Sequence, residues 1–233
     1  MTNDLKNFRP VSNLSFMSKI TEKVVLQQLL VCLTEHKLIC PSLCAYRPHH
    51  STETALHNIT NDILLALDSG NVSLLTLLEL SAAFDTIDHC ILLDTLQHMY
   101  GISGTALSWF SSYLTNGTQS VIVNDHISQV SSLSHGVPQG SVLGPILFIL
   151  CTKPLSNLIQ CHSTESQSFV DDTQLQVSVP PSHIRSAISS LETCLSDIQT
   201  WMLENKLKLN NDRTETPLLR SSSKSYYHLC PSL

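Results

Sequence analysis

Three carboxylate residues lie in sequence surroundings that suit a metal-binding role. Glu79 lies near the end of the apolar stretch SLLTLLEL, residues 73 to 80, and Asp171 and Asp172 lie within SFVDDTQLQVSV, residues 168 to 179. An isolated buried charge is costly, so a carboxylate at the end of an apolar strand must be paired, coordinated or protonated. Carboxylate oxygens are the ligands that Mg²⁺ prefers. Two divalent ions about 3.5 to 4 Å apart stabilise the attacking and leaving oxygens of phosphoryl transfer, and these acids could hold them if their strands are neighbours.

The hydrophobic pattern predicts the elements that would position these acids. Residues 73 to 80 are apolar with almost no alternation, which is typical of a strand covered on both faces. Strand-forming residues flank the acidic pair on both sides, so we expect Asp171 and Asp172 at the tip of a hairpin. Taken alone, two Asp residues in a turn are weak evidence for a metal site, because Asp is common in turns.

Helices are predicted around these strands. From residue 18 to about 37, apolar residues recur at helical spacing, with Glu22 on the opposite face. The apolar positions are Ile20, Val24 and Val31. Further helices are predicted at residues 51 to 67, 103 to 115 and 184 to 202, and directly after the glycine-rich stretch HGVPQGSVLG, residues 135 to 144. A hairpin turn is predicted at Asn124 and Asp125.

Four motifs occur in a fixed order along the chain: LLELSAAFDTIDH, HGVPQGSVLGPILF, FVDD and LKLNNDRTE. With NFRPVSNLSFMSKITEKVV and YRPHHSTETAL before them, the chain resembles LINE-type, non-LTR retrotransposon reverse transcriptases over about residues 7 to 216. The resemblance implies an α/β (α+β) fold, the palm of a right-hand polymerase. A small, mainly antiparallel sheet would be backed by helices, with partial fingers and no thumb. We expect partial fingers at residues 1–70, the palm at 71–219 and an unrelated or disordered tail at 220–233.

The resemblance also assigns the acids. Glu79, Asp171 and Asp172 match the catalytic, metal-binding carboxylates, with Asp171 the surer ligand of the pair. Glu79 departs from the family, which ordinarily has Asp at this position. Asp85 and Asp88 lie in the same motif as Glu79, but acids there usually cap a helix or face solvent, so they are not assigned to metal.

Five further residues match nucleotide-binding positions of the family. Phe84 matches the aromatic steric gate that lies against the sugar of the incoming nucleotide, although a Phe is otherwise most often a core residue. Gln139 and Gly140 match residues that line the nucleotide and template side of the pocket. Arg47 matches an arginine expected near the triphosphate, where a guanidinium suits phosphate geometry. Arg213 stands where the family usually has Lys.

The activity implied by the resemblance is RNA-directed DNA synthesis. It would use an RNA template, a DNA primer, deoxynucleoside triphosphates and two Mg²⁺ ions. The Glu79 substitution and the missing thumb predict weak polymerisation or none. The alternative is a catalytically inactive retroelement remnant that keeps only the palm fold. A third interpretation, an unrelated metal-dependent phosphohydrolase using the same acids, is not favoured by the nucleotide-pocket motifs.

Composition limits the partners. The formal net charge of -6 has the wrong sign for a domain that holds nucleic acid mainly through phosphates, so any nucleic-acid site must be local. The eight cysteines form no CxxC pair, which indicates free thiols in an intracellular, reducing compartment. The longest apolar run, residues 142 to 151, is too short to span a bilayer, so no membrane association is expected. The sequence does not indicate an oligomeric state.

Overall fold

The computed structural model describes residues 11–38, 52–80, 84–123, 126–162, 165–169, 172–210, 214, 216–220 and 223–227. The helices are α1 (Phe16–Glu35), α2 (Thr52–Asp68), α3 (His89–His98), α4 (Gly104–Leu114), α5 (Gly144–Cys161) and α6 (Ile184–Glu204). The strands are β1 (Val72–Glu79), β2 (Thr118–Gln119), β3 (Ile122–Val123), β4 (His126–Ile127), β5 (Ser131–Ser132), β6 (Glu165–Phe169), β7 (Asp172–Val179), β8 (Thr216–Arg220) and β9 (Ser223–Tyr227).

The chain divides into two compact units. The helical unit comprises Met1–Leu38 and Phe84–Cys151, and the sheet unit comprises Ile39–Ala83 and Thr152–Leu233. Both units are therefore assembled from segments that are distant in sequence. The division into fingers and palm near residue 70 stays a prediction.

The sheet unit is built on five strands in the order β6-β7-β1-β8-β9, and every pairing between neighbours is antiparallel. The pairing of β1 with β7 begins with Val72 opposite Val179. It ends with Glu79 opposite Asp172. The prediction of a small, mainly antiparallel sheet is confirmed.

The central strand β1 is fully buried on one face, whereas its other face is open at Leu77, which is 37% exposed. The prediction of a strand covered on both faces was therefore wrong at this position. Leu74 is 0% exposed and Leu78 is 2% exposed, and Thr76 on the same strand is also fully buried. A buried hydroxyl is costly unless it is hydrogen-bonded. The Thr76 hydroxyl meets this condition, because its Oγ1 lies 3.0 Å from Oγ1 of Thr216 on β8.

Helices α2 and α6 pack against the sheet. Helix α2 contacts β1, β6 and β7, and α6 contacts β7. One face of α6 is buried at helical spacing, as the amphipathic pattern predicted. Its buried residues are Ala187, Leu191, Cys194, Leu195, Ile198 and Met202. The prediction that helices back the sheet is confirmed.

In the helical unit, α1 forms where it was predicted but buries a different face. Ile20, Val24 and Val31 are 40%, 49% and 57% exposed, whereas Glu22 is 1% exposed and shares its buried face with Leu29 and Leu33. The predicted face of this helix was wrong. The physical reason is that the Glu22 carboxylate accepts hydrogen bonds from the backbone of Val142 and Leu143, far away in sequence.

Two other parts of the chain differ from the sequence-based expectation. Helix α3 was not predicted. Residues 223–227, within the predicted disordered tail, form β9 and pair with β8 from Thr216 opposite Tyr227 to Arg220 opposite Ser223, so disorder does not describe them. By contrast, β3 and β4 pair as the predicted hairpin, and its turn residues 124 and 125 lie outside the described residues.

No helix in the described part of the chain has the length and apolar character needed to cross a membrane.

A backbone strap joins two motifs within the helical unit. The amide of Gly136 donates to the carbonyl of Ile87 at 2.7 Å, and the amide of Val137 donates to the carbonyl of Phe84 at 2.8 Å. Gly136 has φ +82, and a β-carbon there would lie 2.9 Å from the carbonyl oxygen of Asp85. The strap therefore requires glycine at position 136, for conformation and for space.

We expect Gly136→Ala to destabilise the protein more than Gly101→Ala. Both glycines have positive φ, but a β-carbon at Gly101 would meet nothing within 4 Å. The Gly101 variant should lose about 1 kcal/mol of unfolding free energy for its backbone conformation. The Gly136 variant should lose a further 1 to 3 kcal/mol, roughly, from the clash. Urea denaturation measures the unfolding free energy of both variants. Equal losses would contradict the close approach of the strap backbone at Gly136 to Asp85.

Candidate active site

The ends of β1 and β7 bring two of the predicted acids together. Glu79 is the last residue of β1, Asp172 is the first residue of β7, and the two are directly opposite in the register. Opposite residues in an antiparallel pair have β-carbons about 4.5 to 5.5 Å apart. The backbone alone therefore makes positions 79 and 172 neighbours, which is the arrangement that a shared carboxylate site requires.

The hairpin that carries the acidic pair forms as predicted. Phe169 on β6 is paired with Asp172 on β7, and residue 170 lies outside the described residues. Asp172 is the first residue of the strand, and Asp171 lies outside the described residues. The position of Asp172 beside Glu79 is thus fixed by two strand pairings, one on each side of β7.

The LKLN motif lies beside Glu79. The backbone amide of Asn210 donates to the carbonyl of Glu79 at 2.8 Å, and Leu80 forms an isolated antiparallel bridge with Leu209. The Glu79 side chain is half-buried. Three of the four ordered motifs thus meet at this end of the sheet. Arg213, which follows LKLN, and Arg47 both lie outside the described residues.

The other predicted pocket residues lie together in the helical unit. The Phe84 ring is half-buried and packs on the Phe148 ring, with centroids 5.4 Å apart and planes tilted by 44°. Its backbone carbonyl accepts from Val137, two residues before Gln139. The backbone strap therefore links Phe84 to the segment that carries Gln139 and Gly140.

Gln139 and Gly140 occupy a tight turn. The amide of Ser141 donates to the carbonyl of Pro138 at 2.9 Å, and Gly140 has φ +91, as the third residue of a type II turn requires. Gln139 Oε1 is buried and has no hydrogen-bond partner among the described residues. An unpaired buried acceptor is costly, so this oxygen is a candidate contact for a bound molecule.

Asp88 caps a helix and Asp85 is exposed, the two placements that the sequence suggested for these acids. Asp88 is 7% exposed, and its Oδ1 accepts from the amides of Cys90 and Ile91 at 2.9 and 3.1 Å, which caps α3. Asp85 is exposed. Among the residues whose side chains are described, no group of three His, Cys, Asp or Glu residues is arranged to hold a metal ion.

Sequence reasoning missed two buried polar residues in the helical unit. The His89 ring donates through Nε2 to the carbonyl of Gly136 at 2.7 Å, and His89 is 5% exposed. Glu22 contacts the segment after Gln139. For Glu22 a signal was present, because Glu22, Leu29 and Leu33 share one helical face at spacings of seven and four residues.

Solved structures share this fold. Apo telomerase from Candida tropicalis, truncated from its C-terminal domain, aligns with a TM-score of 0.62 at 15% identity, covering 88% of this chain and 41% of that one. Telomerase from Candida albicans, in complex with a TWJ fragment of telomeric RNA, aligns with a TM-score of 0.62 at 14% identity, covering 90% and 36%. The helix-backed antiparallel sheet is thus a polymerase palm-like fold.

Residues 2–225 match the family described as "Reverse transcriptase (RNA-dependent DNA polymerase)". The chain belongs to this family. It is 27% identical over 215 residues to the RNA-directed DNA polymerase from mobile element jockey of Drosophila melanogaster, covering 90% of this chain and 23% of that protein. It is 27% identical over 217 residues to the probable RNA-directed DNA polymerase from transposon BS of the same species, covering 91% and 24%.

These similarities confirm the prediction of a non-LTR retrotransposon reverse transcriptase domain. The chain spans about a quarter of the length of the curated relatives, 23% and 24% in the two cases. Divalent metal ions are used by the family in general.

We predict that Asp88 stabilises α3 and does not bind metal. Asp88→Ala removes the acceptor for two helix amides and should lower the unfolding free energy by about 1 to 2 kcal/mol. Asp88→Asn keeps an acceptor oxygen and should lose much less. Asp85→Ala is the matched control, because Asp85 is exposed, and should change stability by less than about 0.5 kcal/mol.

Denaturation and divalent-metal titration of these variants test this assignment together. Unchanged metal affinity in Asp88→Ala is the expected result. Loss of metal binding in Asp88→Asn with stability retained would show that this acid belongs to the metal site instead.

Proposed function

We propose that this domain is a metal-dependent RNA-directed DNA polymerase whose activity is weakened by Glu79. The observation that carries the proposal is the register that sets Glu79 directly opposite Asp172 at the end of the central strands. In the reaction, which an RNA template directs, the 3′-hydroxyl of a DNA primer would attack the α-phosphate of a deoxynucleoside triphosphate. The bond between the α- and β-phosphates would break, and pyrophosphate would leave.

The donor set suits Mg²⁺. Glu79, Asp171 and Asp172 offer only carboxylate oxygens, which are the ligands that this ion prefers, and backbone pairing places two of the three positions side by side. When bound, two Mg²⁺ ions would supply the positive charge that the attacking and leaving oxygens need. Because Glu79 and Asp172 lie on paired strands, the spacing of their backbones is set before any substrate arrives.

The remaining residues would bind and orient the nucleotide. Phe84 rests on Phe148 with part of its ring exposed, which suits a side chain that packs against the core and also borders the nucleotide sugar. Gln139 offers a buried acceptor without a partner among the described residues. Arg47 and Arg213 are proposed to face the triphosphate, because guanidinium groups match phosphate geometry.

Nucleic acid would be held locally, since the chain carries a net charge of -6 and counterion release requires basic groups at the phosphates. The complex of the Candida albicans telomerase with an RNA fragment is consistent with a palm-like fold working on RNA. Deoxynucleotide substrates would fit an intracellular location, and so do the cysteines of the described residues, which form no disulfide.

Glu79 is the reason to expect weak activity. Glutamate is one methylene longer than the aspartate ordinarily found there, which displaces the carboxylate unless the backbone yields. At Glu79 the backbone is paired with Asp172 of β7 and its carbonyl accepts from the amide of Asn210, so it has little freedom to yield. Misplacement of about 1 Å can lower a rate roughly a hundredfold.

We predict that Glu79→Asp raises the rate of primer extension on an RNA template by roughly tenfold to a hundredfold. The assay measures extension with Mg²⁺ and all four deoxynucleotides, in the original chain and in the variant. Glu79→Gln, which keeps the length of the side chain but removes the charge, is the matched control and should abolish extension.

Full activity in the original chain, unchanged by Glu79→Asp, would contradict this account of Glu79. Absence of extension in both proteins would favour the second candidate, an inactive remnant that keeps only the palm fold; the altered ligand at position 79 is the observation that supports it. A phosphohydrolase would instead release phosphate from simple esters without a primer.

A further inference from the structure

The most deeply buried charged side chain among the described residues is Glu22, at 1% exposed. It lies on α1, while its backbone hydrogen-bond partners lie about 120 residues away, immediately before α5. We propose that Glu22 is a positioning residue that holds the turn of Gln139 and Gly140 in place for the incoming nucleotide. The contacts of Glu22 with the backbone of Val142 and Leu143 support this bracing role. The benefit to the nucleotide rests on the proposed function.

Each carboxylate oxygen of Glu22 has a separate task. Oε2 accepts from the amide of Val142 at 2.7 Å and from the amide of Leu143 at 3.1 Å. Oε1 accepts from the hydroxyl of Ser18, one helical turn earlier, at 3.0 Å. The serine hydroxyl therefore orients the carboxylate, and the carboxylate holds the backbone directly after the turn.

The site that Glu22 occupies is the start of a helix. The first amides of a helix lack partners within it and carry partial positive charge. At the start of α5, the Glu22 carboxylate accepts hydrogen bonds from the amides of Val142 and Leu143. The hydroxyl of Ser141 accepts from the amide of Gly144 at 2.9 Å. A carboxylate from another element thus completes the cap that Ser141 begins, and charge-assisted hydrogen bonds are stronger than neutral ones.

A second tether acts on the other side of the turn. The amide of Ser12, four residues before α1 begins, donates to the carbonyl of Gln139 at 3.0 Å. The turn is therefore held by the same N-terminal segment at Gln139 and again at Val142 and Leu143. Its own Ser141 amide closes it onto Pro138. Such tethering restricts the backbone of the residues proposed to meet the nucleotide.

The neighbouring phenol of Tyr113 provides a comparison within the same cluster. Its hydroxyl is buried and has no hydrogen-bond partner among the described residues. Burial, together with the nearby Glu22 charge, raises the pKa of Tyr113 to about 12. The phenol lies near Glu22 and Ser141 but makes no hydrogen bond of acceptable distance and angle to either, so its removal should leave the turn intact.

The direct test is amide hydrogen exchange at Val142 and Leu143, measured by NMR on the full chain without substrates. Glu22→Ala removes the acceptor, and exchange at these two amides should accelerate by about tenfold or more. Glu22→Gln keeps an acceptor oxygen for the backbone and a donor for Ser18, so it should keep most of the protection. Tyr113→Phe and Glu35→Ala, an exposed acid on the same helix, are controls that should leave both amides unchanged.

Three outcomes would overturn the bracing role. These are unchanged exchange at Val142 and Leu143 in Glu22→Ala, loss of protection spread evenly over α1 and α5, or equal loss in Glu22→Gln and Glu22→Ala. If Glu22→Ala does not fold, Glu22→Gln decides alone, because loss of both amides' protection in that variant contradicts the proposal.

Kinetics then test the benefit to the nucleotide. In the Glu79→Asp background, Glu22→Ala should raise the KM for deoxynucleotide severalfold more than it lowers kcat, and Glu22→Gln should restore the KM. A fall in kcat alone would overturn this part. If no variant extends a primer, the proposed function fails, whereas the exchange experiment still decides whether Glu22 holds the turn.

Discussion

The antiparallel pairing of β1 with β7 is the constraint on which the site depends. Eight consecutive residue pairs run from Val72–Val179 to Glu79–Asp172. A slip of one residue would turn every side chain of one strand to the opposite face of the sheet. It would also expose the hydroxyl of Thr76, which is buried against Thr216. Packing in the core thus fixes the register, and the register in turn determines the positions of the acids at the strand ends.

The residues proposed to meet the nucleotide are positioned by a different kind of interaction. In the helical unit, backbone hydrogen bonds join Phe84 and Ile87 to the segment of Gly136 and Val137, and the buried side chains of His89 and Glu22 hold the same region from two sides. Buried polar groups of this kind are costly when unpaired, but when satisfied they favour one arrangement. This explains why a short loop after the strap can keep Gln139 and Gly140 in a single turn.

The sequence predicts the features that are encoded locally. The β1 strand, the acidic hairpin and the amphipathic face of α6 each follow from a pattern within about twenty residues. Features that depend on distant partners were missed. Strand β8 pairs with β1, from which it is separated by more than 130 residues in sequence, and β9 pairs with β8. The polar sequence SKSYY of β9 carries no apolar run that would indicate a strand. The buried face of α1 was predicted wrongly because the helix carries two stripes of residues at helical spacing. The stripe that contains Glu22 is the buried one, since its carboxylate binds the amides of Val142 and Leu143.

The central claim is that the β1–β7 register builds a divalent-metal site at one end of the sheet. Titration with Mn²⁺, observed as paramagnetic broadening of backbone amide NMR signals, tests it without requiring activity. The account predicts that Glu79 and Asp172 broaden first and together. Val72 and Val179, paired at the other end of the same strands and about 23 Å away at 3.3 Å per residue, should remain sharp. Equal broadening at both ends, or none near Glu79, would contradict it.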